Sequence, residues 1–268
     1  MTLLKLIAAI RARHFNLLIS LAAPRGYFRS LRDLLFFKIC GIPKIIGIPF
    51  HKQDLYPFKL LEMGTYEPEY LRIARRVESL TKVDTKNPKM WDLLFTQIEI
   101  KESEAILNKE NIKAPFICFS VGSKFEEKDW GIANWKIVIS GVALAFPNLT
   151  LVGLGAQEEY EKTQEVFVDV RRKAVNICGF CSPRTSGLIL KKSLLYIGHD
   201  SGPMHLAATV GTPCVAIFSL RNNPGQWYPR GESNLIFYPN TTIRNRAIDT
   251  IKPNEVLEQI IRKIKDLL

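Results

Sequence analysis

The sequence predicts an α/β protein built on parallel, doubly wound sheets, and three observations lead there. Apolar runs of strand length alternate with segments of helical period along most of the chain. The links between them are short and carry glycine or proline, as connections in parallel α/β folds do. A polar, proline-containing stretch at 81–89 interrupts the alternation and divides it in two.

Residues 2–13 have helical spacing, 16–22 form a short apolar strand, and 27–40 form a helix stopped by Gly41 and Pro43. Residues 44–48 read as a second strand, 49–66 as a loop, and 67–80 as a helix. From residue 114 the alternation sharpens: strand 116–121, helix 134–146, strand 149–153, a turn at Gly155, and helix 157–173. It continues as strand 175–177, helix 184–192 entered through Ser182-Pro183, strand 194–197, helix 203–210 and strand 214–218. Residues 251–268 close the chain as an amphipathic helix, expected to pack back toward the first domain. The prediction is therefore two Rossmann-like domains, the first at 1–108 and shortened, the second at 109–268 with its closing helix.

Composition excludes several classes. With 47% apolar and 24% charged residues the chain is globular. No stretch reaches the roughly 18 uninterrupted apolar residues of a membrane span, and Arg11 and Arg13 stand where a signal peptide would need small residues. The expected location is cytoplasmic, with a peripheral seat on the inner face of the cytoplasmic membrane. The five cysteines are odd in number, and Cys178-Gly-Phe-Cys181 lacks the second pair or nearby histidine of a zinc site, so free thiols are expected. Of the net charge of +11, residues 1–52 contribute nine Lys or Arg against one acid, Asp33. Such a face suits an anionic membrane surface or a phosphorylated acceptor, and no nucleic-acid-binding module is recognisable. A nicotinamide dehydrogenase would need GxGxxG after an early strand, and none is present.

The most informative segment is His199-Asp-Ser-Gly-Pro-Met-His-Leu-Ala-Ala208, directly after an apolar strand and directly before a helix. Ligands of open parallel sheets bind beyond the carboxyl ends of the strands. Ser201 and Gly202 leave backbone N–H groups unobstructed at a helix start, and Pro203 suits the first turn. Those N–H groups and the helix dipole favour a phosphate without calling on a metal. His205, in the first turn, either reaches the same phosphates or caps its own helix.

Asp200-Ser-Gly-Pro-Met204-His-Leu-Ala-Ala, followed by Gly211-Thr-Pro213 and an apolar strand, resembles the most distinctive motif of glycosyltransferase family 9, the lipopolysaccharide heptosyltransferases and their relatives. Phe119 to Trp130 is similar to the family's strand, Gly/Ser turn and Lys-x-Trp segment, and Leu151 to Glu159 to its strand and glycine turn. The resemblance implies the type B glycosyltransferase architecture and a metal-independent, inverting transfer of a sugar, heptose from ADP-heptose, to a lipopolysaccharide core or similar lipid-linked glycan. No cofactor is implied. It places Gly122, Ser123, Lys128, Glu158, Asp200, Ser201, Gly202, Pro203, Met204 and His205 at the donor. Lys128 would neutralise the departing diphosphate, with Lys124 the neighbouring alternative; Glu158 would take the ribose, with Glu159 and Glu161 equally acidic beside it. Arg25, Arg29 and Lys38 would meet acceptor phosphates.

One departure bears on competence. By the resemblance, the family's amino-terminal strand and glycine turn, which carry the aspartate regarded as general base, are expected to have no counterpart in this sequence, with about two βα units of roughly 30 residues each expected to be absent. Asp200 and His205 remain as candidates for proton transfer. The second expectation is therefore a non-catalytic nucleotide-sugar-binding remnant of such an enzyme.

Overall fold

A computed structural model of the chain describes residues 2–23, 25–60, 64–170 and 174–268. Contacts divide it into two compact units, Met1–Met90 with Asn223–Trp227, and Trp91–Asn222 with Tyr228–Leu268. The division expected at 108/109 thus falls at 90/91.

The first unit runs α1 (Leu3–Arg11), β1 (Leu17–Ile19), α2 (Tyr27–Ile39), β2 (Lys44–Ile46), α3 (Lys52–Leu55), β3 (Lys59–Leu60), β4 (Thr65–Tyr66) and α4 (Glu69–Arg76). Strands β1 and β2 pair in parallel. The segment expected to be a loop holds α3 and an antiparallel β3–β4 pair, with residues 61–63 outside the described set. Arg76 closes the sheet end: its Nε donates to the Gly47 carbonyl at 2.7 Å, and its Nη atoms donate to the Ala22 and Ser20 carbonyls at 3.0 Å each. A guanidinium spreads five fixed donors over three nitrogens and so reaches three separated strand-end carbonyls together, where a lysine would offer its donors from a single nitrogen. Beside it, buried Arg72 pairs with Glu69, so the charges on this helix are compensated inside the unit.

The second unit comprises α5 (Gln97–Lys109), β5 (Phe116–Ser120), α6 (Ile132–Ala145), β6 (Thr150–Gly153), α7 (Tyr160–Val166), β7 (Ala174–Asn176), α8 (Pro183–Lys192), β8 (Leu195–His199), α9 (Gly202–Thr209), β9 (Cys214–Ile217), β10 (Leu235–Phe237) and α10 (Pro253–Leu267). Among the described residues its sheet has six strands in the order β10-β9-β8-β5-β6-β7, with every neighbouring pair parallel. This is the Rossmann order, in which the chain winds one way from the central strand and then returns to wind the other. Helices cover both faces of such a sheet, so its central strands read as unbroken apolar runs; β5, β8 and β9 are buried throughout.

Local chemistry sets the helix starts. Ser182 Oγ accepts from the Thr185 amide at 3.1 Å and Pro183 opens α8, a favoured N-cap arrangement. Thr96 and Glu99 form a reciprocal capping box at α5, which packs on α8 through the Arg184–Glu99 pair. The helix expected over 157–173 is shorter: a 3-10 turn precedes α7, another follows it at Val168–Val170, and 171–173 lie outside the described residues. The closing helix has its partner within the second unit. α10 packs on α6 within the second unit, burying Val256, Ile260 and Ile264, and Leu257 sits so close to Gly141 that a methyl there would meet it at 2.2 Å. The apolar stripe of α10 is answered by α6.

Candidate functional site

Strands β5 and β8 are neighbours whose following segments diverge, β5 leading to α6 and β8 to α9, so a crevice opens between their carboxyl ends. From β5 comes the loop holding Gly122, Ser123 and a short 3-10 turn, Glu126–Lys128. From β8 come Asp200, Ser201 and the first turn of α9, with Gly202, Pro203, Met204 and His205.

The two sides are joined by an ion pair. Lys128 Nζ donates to Asp200 Oδ2 at 2.6 Å and to the Asp200 carbonyl at 3.1 Å, with the two side chains 13% and 5% exposed. Asn222 Nδ2 donates to the same Oδ2 at 2.8 Å, and His205 Nε2 stands 3.7 Å from Oδ1. Burial pushes the Asp200 carboxyl up, but His205 and Lys128 outweigh burial and hold it below the ordinary carboxylate value. Asp200 thus stays ionised and fixes the Lys128 ammonium at the mouth of the crevice.

Behind the pair, His199 braces the loop. The Trp130 amide donates to His199 Nε2 at 3.1 Å, so that nitrogen is an acceptor; the proton then belongs on Nδ1, which donates to the Gly122 carbonyl at 3.1 Å. Burial lowers the imidazole to about 4, leaving the ring neutral near pH 7. Trp135 packs edge-on against it at 5.1 Å.

α9 begins without a side-chain cap. Ser201 is extended at φ −149°, and its hydroxyl donates to the His199 carbonyl at 3.2 Å instead of accepting from the helix. A methyl on Gly202 would meet nothing within 4 Å. The first turn of α9 thus starts with no side-chain cap, next to the Asp200 that holds Lys128.

The structure brings Gly122, Ser123, Lys128, Asp200, Ser201, Gly202, Pro203 and His205 to one crevice. Met204 is fully buried, so its side chain belongs to the core and only its amide lies in the first turn. Lys124 is exposed, whereas the 3-10 turn directs Lys128 inward. Glu158 is exposed after β6; it is Glu159 whose carboxylate turns in, accepting from the Ala156 amide at 2.8 Å and standing 1.7 Å from where a Gly122 methyl would be. Arg25 and Arg29 are exposed in the first unit, on a cavity of about 460 Å³ shared with Arg32 and Ser30. Sequence reasoning missed Asn222, His199 as a brace, and Arg221, which pairs with Glu127 and lies 3.7 Å over the Phe125 ring.

The CxxC sulfurs have separate partners, Cys178 with Thr163 at 3.4 Å and Cys181 with Ser186 at 3.1 Å, and both are free thiols. Among the described residues, no group of three or more His, Cys, Asp or Glu is placed to hold a metal ion, and no helix is long and apolar enough to cross a membrane.

The profile of glycosyltransferase family 9 (heptosyltransferase) matches residues 4–250. The chain belongs to that family. It is 25% identical over 132 residues to the lipopolysaccharide core heptosyltransferase OpsX of Haemophilus influenzae, and 28% identical over 130 residues to lipopolysaccharide heptosyltransferase 1 of Campylobacter coli. These matches take in 49% and 47% of this chain but only 37% and 36% of the relatives. Among solved structures, the family 9 glycosyl transferase of Veillonella parvula DSM 2008 superposes with a TM-score of 0.74 at 18% identity, covering 98% of this chain and 78% of that one. The E. coli ADP-heptose lps heptosyltransferase II gives 0.64 at 17% identity, covering 98% and 80%, and E. coli heptosyltransferase WaaC with ADP gives 0.61 at 14%, covering 97% and 77%. The fold is that of the type B glycosyltransferases.

Proposed function

We propose that the crevice between β5 and β8 binds the diphosphate of a nucleotide-sugar donor, ADP-heptose, and that the protein transfers the heptose with inversion to a lipopolysaccharide core or related glycan, without a divalent metal. The observation that carries this is the convergence of the Lys128 ammonium and the uncapped start of α9 on one crevice at the switch point of the sheet. A departing diphosphate gains negative charge as the sugar leaves. Fixed donors already aimed at it lower the barrier because nothing need reorganise during the step. The names of two structural neighbours carry ADP-heptose or ADP, which supports this donor. Asp200, held by Lys128 and Asn222, orients the ammonium. His205, 40% exposed at the same crevice, is the better placed of the two for a proton.

On the acceptor side, the proposal gives the Arg25 and Arg29 cavity to phosphates of a lipid-linked glycan, with Lys38 further along the helix that carries Arg29. The basic excess of residues 1–52 beside exposed Leu3, Leu4 and Phe28 supports a seat on an anionic membrane surface.

Titration calorimetry of the chain with ADP should give the same affinity with and without EDTA, and ADP-heptose with a heptose-deficient lipopolysaccharide should yield heptosylated product. Binding that appears only with added divalent metal would sink the metal-free cradle. ADP binding with no transfer or hydrolysis would favour a nucleotide-sugar-binding role instead.

Lys128→Ala should weaken ADP binding by about 1.5–3 kcal/mol, the worth of a hydrogen bond to a charged group, while Lys124→Ala should do much less. The contrast follows from the inward turn of Lys128 and the exposure of Lys124. Equal losses in the two variants would mean that charge in general, and not the crevice, governs binding.

A further inference from the structure

The loop after β9 reaches two different strands. In the sheet order β9 lies beside β8, and β5 lies one strand further on. Neighbouring strands are about 4.8 Å apart, so a short side chain from this loop serves the β8 side and a long one is needed for the β5 side. The sequence supplies both in succession. Asn222 Nδ2 donates to Asp200 Oδ2 at 2.8 Å, after β8, while Arg221 pairs with Glu127 and lays its guanidinium 3.7 Å from the centre of the Phe125 ring, after β5. The loop is itself fixed at both residues: the Arg221 amide donates to Ser219 Oγ at 3.3 Å, and the Asn222 carbonyl accepts from the Tyr238 hydroxyl at 2.9 Å.

What Arg221 grips is the turn that presents Lys128. That 3-10 turn has three residues, Glu126–Lys128, and its Lys128 amide donates to the Phe125 carbonyl at 3.0 Å. So short a turn has little hold on its own shape. Its far end is tied where the Trp130 amide meets His199, and its start meets Arg221 through Phe125 and Glu127. Building on the donor-site reading, we propose that Arg221 is a positioning residue: it sets the turn so that the Lys128 ammonium is presented to the diphosphate, while its neighbour Asn222 sets Asp200, the other half of the ion pair. One dipeptide thus holds both partners in register. A planar guanidinium suits this task, since it can stack on a ring and pair with a carboxylate at once.

The test is ADP titration calorimetry with thermal melts on the full chain, using the wild type, Arg221→Ala, Glu127→Ala, Lys128→Ala and the double variant of Arg221 and Lys128. Glu127 separates positioning from simple charge. Removing an acid beside an anion site tightens binding if only the electrostatic field counts, whereas releasing Arg221 from its partner weakens it. Arg221→Ala should weaken ADP binding about 3- to 10-fold, the joint worth of an exposed ion pair and a cation–π contact, and Glu127→Ala about two- to fivefold. In the Lys128→Ala background the Arg221 change should alter affinity less than about twofold, since the group it positions is gone. Arg221 and Glu127 are 38% and 51% exposed, so the Tm should move by less than about 3 °C. Tighter or unchanged binding in Glu127→Ala, an equal Arg221 loss with and without Lys128, or a larger fall in Tm would each overturn the proposal. A wild-type chain that does not bind ADP would overturn the donor-site reading and this one with it, whereas wild-type binding with an indifferent Arg221→Ala would remove the role of Arg221 alone.

Discussion

Replacing Asp200 by alanine is expected to lower the unfolding free energy by about 3–5 kcal/mol, the usual loss when one partner of a buried ion pair is removed. The size follows from burial. The Lys128 side chain is only 13% exposed, so the variant strands an ammonium that water cannot fully solvate, and the Asn222 amide loses its acceptor as well. Adding Lys128→Met should recover much of the loss, because apolar replacement of both partners is often neutral where single removal is not. Saturating ADP should also stabilise the Asp200→Ala chain, by bringing negative charge back to Lys128. Urea unfolding of the wild type, Asp200→Ala and the double variant decides: a single-variant loss below about 1 kcal/mol, or a double variant weaker than the single, would show that the pair does not organise the crevice. The acid side has a definite sign. Asp200 is held below its ordinary value, so its contribution is full above the unfolded value of about 3.9 and is lost as pH falls through the folded one.

The other large effect is a loss of stability on mild acidification, caused by His199. In the folded chain burial holds the imidazole at about 4, against 6.5 for the ordinary group. Between those values the unfolded chain binds a proton that the folded chain refuses, so stability falls as pH drops through the window. Over the whole window the difference amounts to about 3 kcal/mol. Below the folded value the ring charges, and Nε2 can no longer accept from Trp130. His199→Gln offers an amide donor for Gly122 and a carbonyl acceptor for Trp130 without a titrating group, so its unfolding free energy should depend less on pH between 6.5 and 4. Parallel slopes for the two proteins would place the proton uptake elsewhere.

Much of the second unit was legible because its parallel strands, covered on both faces, must be continuous apolar runs, and β5, β8 and β9 are such runs in the sequence. The junction of β8 and α9 was legible because it is local: strand, Ser201-Gly202-Pro203 and helix are consecutive. Parts that depend on tertiary contact were not. β10 has three residues and becomes a strand only by pairing with β9. α5 shows a weak apolar stripe, with Ser103 and Leu107 its buried residues, although its Thr96-x-x-Glu99 box was a usable start signal. Asn222 lies 22 residues beyond Asp200, and no spacing rule joins them. The choice of Lys128 over Lys124 and the inward turn of Glu159 depend on short 3-10 turns that set side-chain direction. The alternation does not mark 90/91 as a boundary, because α5 sides with α8 through packing.

The Trp130 indole governs how the loop after β5 moves in time. Its Nε1 donates to the Ile251 carbonyl at 3.0 Å, at the entry to α10, while its amide donates to the His199 ring that also holds Gly122. Ile251, Trp130, His199 and Gly122 thus form one run of hydrogen bonds from the entry of α10 to the loop after β5, through residues with almost no solvent contact. Loop and helix then belong to a single cooperative opening unit, and the Trp130 amide exchanges with solvent deuterium only when that unit opens. The loop after β5 would not fray on its own like a surface lid; its slow breathing would be set by the lifetime of α10 against α6.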